Sequence, residues 1–297
     1  MRHLRFNPTH IYKDVLDYIP GFDHKGKKPF AGPWDQNLYY KFLNNNILPK
    51  NVPDEEWPYR TIENDFYVWN SKGYRTYEFN EITEDSDFTL ALGCSFVEGI
   101  GVRITERWDH FFERHFNTKV VNLGKGGSSV SAMSYIGHGW FLSGRPKPKR
   151  VIIIWTEPSR DTYIVDNGTP MNYVPTYVNM PTSDTIIQTY NQMYDLSVVI
   201  EQFWSNKFVH VYNEFNLLMQ ALNIPTYNFL LDDIWPNYDT ETLQKYLNVP
   251  ITPINFLRIP CNWHDFAAGA DGSHPGKLGH FAAFETIKKT IIEYEKN

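Results

Sequence analysis

Two places in the chain bring together residue types that could do chemistry. The first is Gly93-Cys94-Ser95, inside the stretch DFTLALGCSFVEGIGV at residues 87–102. An apolar, strand-like run stops there and gives way to a glycine-rich loop. A serine just past the end of a strand in an open parallel sheet sits where such sheets bind ligands. Backbone N–H groups in the following turn can face a developing oxyanion. A serine in this place can attack a carbonyl, and it can equally be an ordinary turn residue. The second place is DGSHPGKLGH at residues 271–280. Asp271 and His274 lie three residues apart before the last amphipathic stretch. A carboxylate can then accept a hydrogen bond from one imidazole nitrogen, leaving the other free to take a serine proton. A solvated turn that caps a helix has the same composition.

Strands and helices must position these groups. DFTLALG, TKVVNLG, RVIIIWTEP and IPTYNFLL read as four apolar strands. RVIIIW is apolar almost throughout, as a strand buried on both faces is. Between them, TERWDHFFERHF places Trp108, Phe111, Phe112, His115 and Phe116 at helical spacing, with Thr105 as N-cap. SSVSAMSYIGHGWFL predicts a helix, residues 183–222 predict two helices broken near Ser205-Asn206, and KLGHFAAFETIKKTIIEYEKN predicts a closing helix. Strands alternating with helices imply a parallel sheet covered on both faces. The expectation is a three-layer α/β/α sandwich at residues 86–297, behind an N-terminal accessory arm at residues 1–85. The arm is rich in Pro, Gly and charge but carries many aromatics, Trp57, Tyr59, Trp69 and Tyr74 among them. It should pack on the core and border the site, with one short helix at DQNLYYKFLNN.

Four motifs in order resemble the SGNH (GDSL-type) hydrolases over roughly residues 86–297. GCSFVEG is similar to their nucleophile block and DGSHP to their closing Asp-x-x-His block. VVNLGKGGSS supplies Asn122, Gly124 and Gly127 as N-x-G-x-x-G after a strand, and ERWDHFF resembles the first helix. Upstream, WNSKGYRTYEF is similar to a segment that precedes the core in larger members. The resemblance implies a flavodoxin-like fold, Ser95 as nucleophile, His274 as base and then acid, and Asp271 orienting the imidazole. The N–H groups of Ser95 and Gly127 would line the oxyanion hole. The third block departs from the family. It should read G-x-N-D, with the Asn as a further oxyanion donor, but residues 155–160 read WTEPSR. Thr156, Ser159 and Arg160 each carry a donor. Thr156, the first polar residue after the strand, is the preferred replacement. Arg160 could instead bind an anion or pair with Glu157.

Other features narrow the class. A net charge of −6 argues against a general nucleic-acid or anionic-membrane binder. No leading apolar segment reads as a signal peptide, and no run reaches the ~18 apolar residues of a membrane span. A cytoplasmic or virion-associated protein is expected. Two cysteines, Cys94 and Cys261, do not make a disulfide scaffold, though one bridge between them is conceivable. Cys94 stands where the family carries Asp and is read as packing. His264, Asp265, Asp271, His274 and His280 match no standard zinc spacing, so neither metal nor cofactor is expected. The many Tyr and Trp residues, 28 among 297, favour a small acyl group, such as acetyl, on a carbohydrate or similar ester. The rival reading is a binding or structural protein, phage-borne for example, that kept the fold and lost part of the site.

Overall fold

The computed structural model describes residues 31–32, 67–158, 160–164, 170–173, 197–231, 243–254 and 274–296. Near the N-terminus, β1 (Ala31–Gly32) pairs antiparallel with β2 (Tyr67–Val68). The core sheet follows as β3 (Phe88–Gly93), β4 (Lys119–Asn122), β5 (Arg150–Trp155), β8 (Thr226–Leu231) and β9 (Ile251–Ile254), all parallel. β6 (Asp161–Ile164) and β7 (Pro170–Tyr173) form a separate antiparallel hairpin directly after β5. Every residue of β3 and β5 is buried, which is why both read as unbroken apolar runs and not as alternating ones.

The core order is β4-β3-β5-β8-β9, so the chain's first core strand lies between its second and third. This is the doubly wound order of flavodoxin-like sheets, with the switch point between β3 and β5. It confirms the expected α/β architecture. The helices are α1 (Ser95–Glu98), α2 (Trp108–Phe116), α3 (Val130–Leu142), α4 (Ser197–Ala221) and α5 (Lys277–Tyr294). The β3-α2-β4 crossover runs outward and β4-α3-β5 returns, so right-handed connections put α2 and α3 on opposite faces. α2 packs with α5, and α3 with α4, completing the two outer layers. Phe111 meets Phe281 edge-on at 5.3 Å between α2 and α5. Across the sheet, Phe208, Tyr212 and Phe215 of α4 surround the Trp155 ring.

Three local expectations are corrected. α4 runs unbroken through Ser205-Asn206. Each of those residues costs only about 0.5 kcal/mol in a helix interior. The buried stripe of Trp204, Phe208, Tyr212, Phe215 and Met219 spans the weak point and outweighs it. Thr105 does not cap α2. It lies inside a 3-10 turn, Ile104–Glu106, and the helix begins only at Trp108. The fifth core strand went unanticipated because ITPI carries Pro253. A proline is tolerated on an edge strand, and β9 is one.

The described part of the N-terminal arm joins the core. Trp69, Tyr74, Phe79 and Ile82 are buried, and the last three belong to the main hydrophobic cluster. Phe79 meets Trp140 of α3 edge-on at 5.3 Å. Trp57, Tyr59 and the helix expected at DQNLYYKFLNN lie outside the described residues.

Candidate active site

The nucleophile loop is built by close approach. β3 ends at Gly93 and the chain enters α1 at once, with Cys94 as its N-cap. A Cβ at Gly93 would come within 2.1 Å of Val97 Cγ2 and 3.2 Å of Ile154 O. Glycine is required here because α1 folds back over the strand end. Ser95 is 8% exposed, at the carboxyl edge of β3. The N–H groups of Gly99 and Ile100 both donate to its carbonyl, closing the turn behind it.

The exit of β4 interlocks with that loop. Asn122 donates through Nδ2 to Val97 O at 2.7 Å and to Asp109 Oδ2 at 2.8 Å, and its Oδ1 accepts from Gly124 N–H at 2.9 Å. Gly124 lies so close to α1 that a Cβ would stand 2.5 Å from Glu98 N. The chain then turns at residues 125–128, closed by Ser128 N–H donating to Lys125 O at 3.1 Å. Gly127 takes the third position with φ of 73°, the left-handed region that a type II turn needs there. Gly126 donates its N–H to Glu98 Oε2 at 2.6 Å, and a Cβ on it would be 4.0 Å from Ser95 Cβ. The turn bearing Gly127 thus lies against the serine.

A buried charged network supports this edge, and the sequence reading did not single it out. Arg75 donates from Nη1 to Glu98 O at 3.2 Å and to Gly99 O, and from Nη2 to Val102 O at 3.0 Å. Arg107 reaches Arg75 O at 2.7 Å and pairs with Asp109. Asp109 holds Asn122 in turn. Lys125, 4% exposed, donates to Gly73 O, stands 5.2 Å over the Tyr74 ring, and has its Nζ 4.0 Å from Glu98 Oε1. Burial pulls its ammonium pKa down, Glu98 opposes that, and Arg75 adds to it.

At the exit of β5, Gly93 pairs with Ile154, so the residues after Trp155 emerge beside those after Gly93. Thr156 is fully buried, and its Oγ1 has no hydrogen-bond partner among the described residues. Arg160 Nε pairs with Glu157 Oε1 at 2.7 Å, one of the three roles the sequence allowed it. Ser159 lies outside the described residues.

His274 precedes α5, and its ring meets Phe96 edge-on with centroids 5.7 Å apart. Phe96 follows Ser95 directly, so the chain's far end returns to the nucleophile loop. Asp271, Cys261, His264 and Asp265 lie outside the described residues. Cys94 is a buried free thiol. His280 is fully buried on α5, and its Nδ1 accepts from Trp108 N–H at 3.4 Å. Burial holds its pKa well below the ordinary range, and the nearby Arg107, Arg75 and His274 push the same way. Among the described residues no group of three His, Cys, Asp or Glu could hold a metal, and no helix is long and apolar enough to cross a membrane.

No family model matches the chain, and no curated protein matches it. Solved structures similar to it include a psychrotrophic esterase from Pseudoalteromonas sp., at 12% identity and TM-score 0.44, covering 71% of this chain and 100% of that one. An acetyl xylan esterase from Butyrivibrio proteoclasticus is 10% identical with TM-score 0.42, covering 72% and 65%. A member of the lipolytic G-D-S-L family from Veillonella parvula is 14% identical with TM-score 0.38, covering 68% and 97%. At these values the neighbours add nothing to what the chain's own sheet order and motif placement carry.

Proposed function

We propose that the protein is a serine ester hydrolase of SGNH type that removes a small acyl group, such as acetyl, from a carbohydrate or similar ester. Ser95 Oγ attacks the acyl carbon as His274 takes its proton. The tetrahedral oxyanion collapses, and the alcohol leaves with that proton from the imidazolium. Water, activated by the same imidazole, then hydrolyses the acyl-enzyme. Asp271 orients His274. The N–H groups of Ser95 and Gly127 and the Thr156 hydroxyl receive the oxyanion. No cofactor takes part.

One observation carries the reading. The strand order brings Ser95, the glycine turn and Thr156 to one sheet edge at the switch point, and the His274 ring lies on the residue after Ser95. The abundance of Tyr and Trp, and the absence of a long continuous apolar stretch that would mark a groove for a long acyl chain, support a small acyl group on a carbohydrate. A second reading, a binding or structural protein with an impaired site, is favoured by WTEPSR having no Asn where the family places one. Hydrolysis of short p-nitrophenyl esters, compared with Ser95→Ala, separates the two. Turnover lost in the variant, with fluorophosphonate labelling of wild type alone, supports the enzyme. Equal turnover in both proteins rejects it.

A further inference from the structure

We propose that Glu98 is a positioning residue that clasps the glycine turn onto the nucleophile helix, and that Lys125 neutralises it so that its charge does not oppose an oxyanion at Ser95. The inference rests on the serine chemistry proposed above. Glu98 follows Ser95 by three residues on α1 and is 5% exposed. Its Oε2 accepts from Gly126 N–H at 2.6 Å, which ties the Lys125–Gly126 peptide, one before the peptide that bears the Gly127 N–H, to the element that carries the serine. A charge-assisted bond of that length is among the stronger hydrogen bonds available to a backbone N–H.

The clasp creates an electrostatic difficulty. A Cβ on Gly126 would lie 3.3 Å from Glu98 Oε2 and 4.0 Å from Ser95 Cβ, so the carboxylate and the serine flank one glycine. An uncompensated anion at such a place would disfavour a second negative charge forming on the substrate. Lys125, buried within the same turn, has its ammonium 4.0 Å from the other carboxylate oxygen. The turn thereby carries the counter-charge of its own clasp. Arg75 and Arg107 also donate to the Glu98 carbonyl, at 3.2 and 3.5 Å, and fix the helix end that bears the carboxylate.

Amide hydrogen exchange over residues 124–128 and steady-state kinetics on p-nitrophenyl acetate test the two halves separately. In Glu98→Ala, exchange at the turn should speed up ~10-fold or more, and kcat should fall ~10-fold or more with KM within ~2-fold. In Glu98→Gln, whose amide oxygen can still accept from Gly126, exchange protection should persist and most of kcat should return. Lys125→Met should lower kcat while leaving the turn protected, and Glu98→Gln/Lys125→Met should recover a large part of that loss. If Glu98→Ala does not fold, exchange in Glu98→Gln reads the clasp, where loss of protection at the turn overturns it, and the Lys125→Met and double-variant comparison reads the charge compensation. Wild-type protection in Glu98→Ala overturns the clasp. A double variant no faster than Lys125→Met overturns the charge compensation. Wild type without Ser95-dependent turnover rejects the esterase reading instead, and exchange at the turn still reports on the clasp.

Discussion

The exits of β4 and β5 flank the same serine and are built in opposite ways. At β4, the Asn122 side chain makes three hydrogen bonds, Gly124 meets the backbone of α1, and Gly126 is held by Glu98. At β5, among the described residues, the exit offers a buried Thr156 hydroxyl with no hydrogen-bond partner and a local Glu157–Arg160 pair. The first exit is tied to α1 at several points, although the Ser128 hydroxyl within its turn is also buried without a hydrogen-bond partner among the described residues. The second holds a polar group whose burial is unfavourable unless something pairs with it. A donor held in place and left unpaired is what oxyanion stabilisation asks of a side chain.

The largest effect should come from removing the group both exits face. Ser95→Ala and His274→Ala, and Asp271→Ala beside them, should each lower kcat on p-nitrophenyl acetate ~1,000-fold or more, with unchanged circular dichroism. Losses in the pairwise variants should fall well short of additive because the groups act as a unit. A His274→Ala enzyme with wild-type kcat would remove the histidine from the mechanism and leave the β4 edge without a chemical role.

Next comes the rigid side itself. Arg75→Met takes the donor away from the buried carbonyls of Glu98, Gly99 and Val102. Loss of a buried, charged hydrogen-bonding hub costs about 3 kcal/mol or more. Denaturant melts should show that drop, whereas Glu157→Ala at the β5 exit, which breaks a single local pair and leaves the sheet's backbone contacts intact, should cost less. Equal losses at the two exits would erase the contrast between them.

The β5 side is tested by Thr156→Val, which keeps shape and deletes the hydroxyl. A kcat lower by ~10-fold with KM little changed is expected of a donor that acts in the transition state. Unchanged kcat would leave the oxyanion to backbone donors and strengthen the binding-protein reading.

Much of this contrast was legible in the sequence. The glycines of GCSFVEG and NLGKGGSS are spaced by backbone approach and by a positive φ, constraints that act on residue type directly. The apolar strands announced themselves because both faces are buried. β9 did not, because its proline is tolerated only at an edge, and which strand is the edge is a property of the whole sheet. The β6–β7 hairpin follows β5 with Asn167-Gly168 between its strands, a local turn signal that the longer-range reading passed over. Glu98, Lys125, Arg75 and Arg107 look in sequence like ordinary surface charges. Their burial depends on contacts across 23 to 52 positions, as in Arg75 to Glu98, Arg107 to Arg75 and Lys125 to Gly73, which no local pattern encodes.

The smallest expected effect concerns acid. His280 is buried beneath the β4 side, where Trp108 N–H donates to it and Arg75 and Arg107 lie near. Its folded-state pKa is depressed, so as pH falls through about 6.5 the unfolded chain takes up a proton that the folded chain refuses. The stability that neutral His280 permits is therefore fully present above that pH and is lost progressively below it. The slope approaches ~1.4 kcal/mol per pH unit. His280→Asn can keep an acceptor for Trp108 N–H and cannot titrate. Its denaturant-derived stability should fall less than wild type's between pH 7 and 5, whatever its offset at pH 7. A proton forced onto His280 would add a third positive charge to Arg75 and Arg107, so hydrogen exchange in mild acid should rise over residues 122–127 before residues 155–158. Identical pH slopes in wild type and His280→Asn would show that the acid-sensitive element lies elsewhere. Earlier opening of residues 155–158 would mean that the β4 exit, for all its hydrogen bonds, is not the side that the buried charges hold in balance.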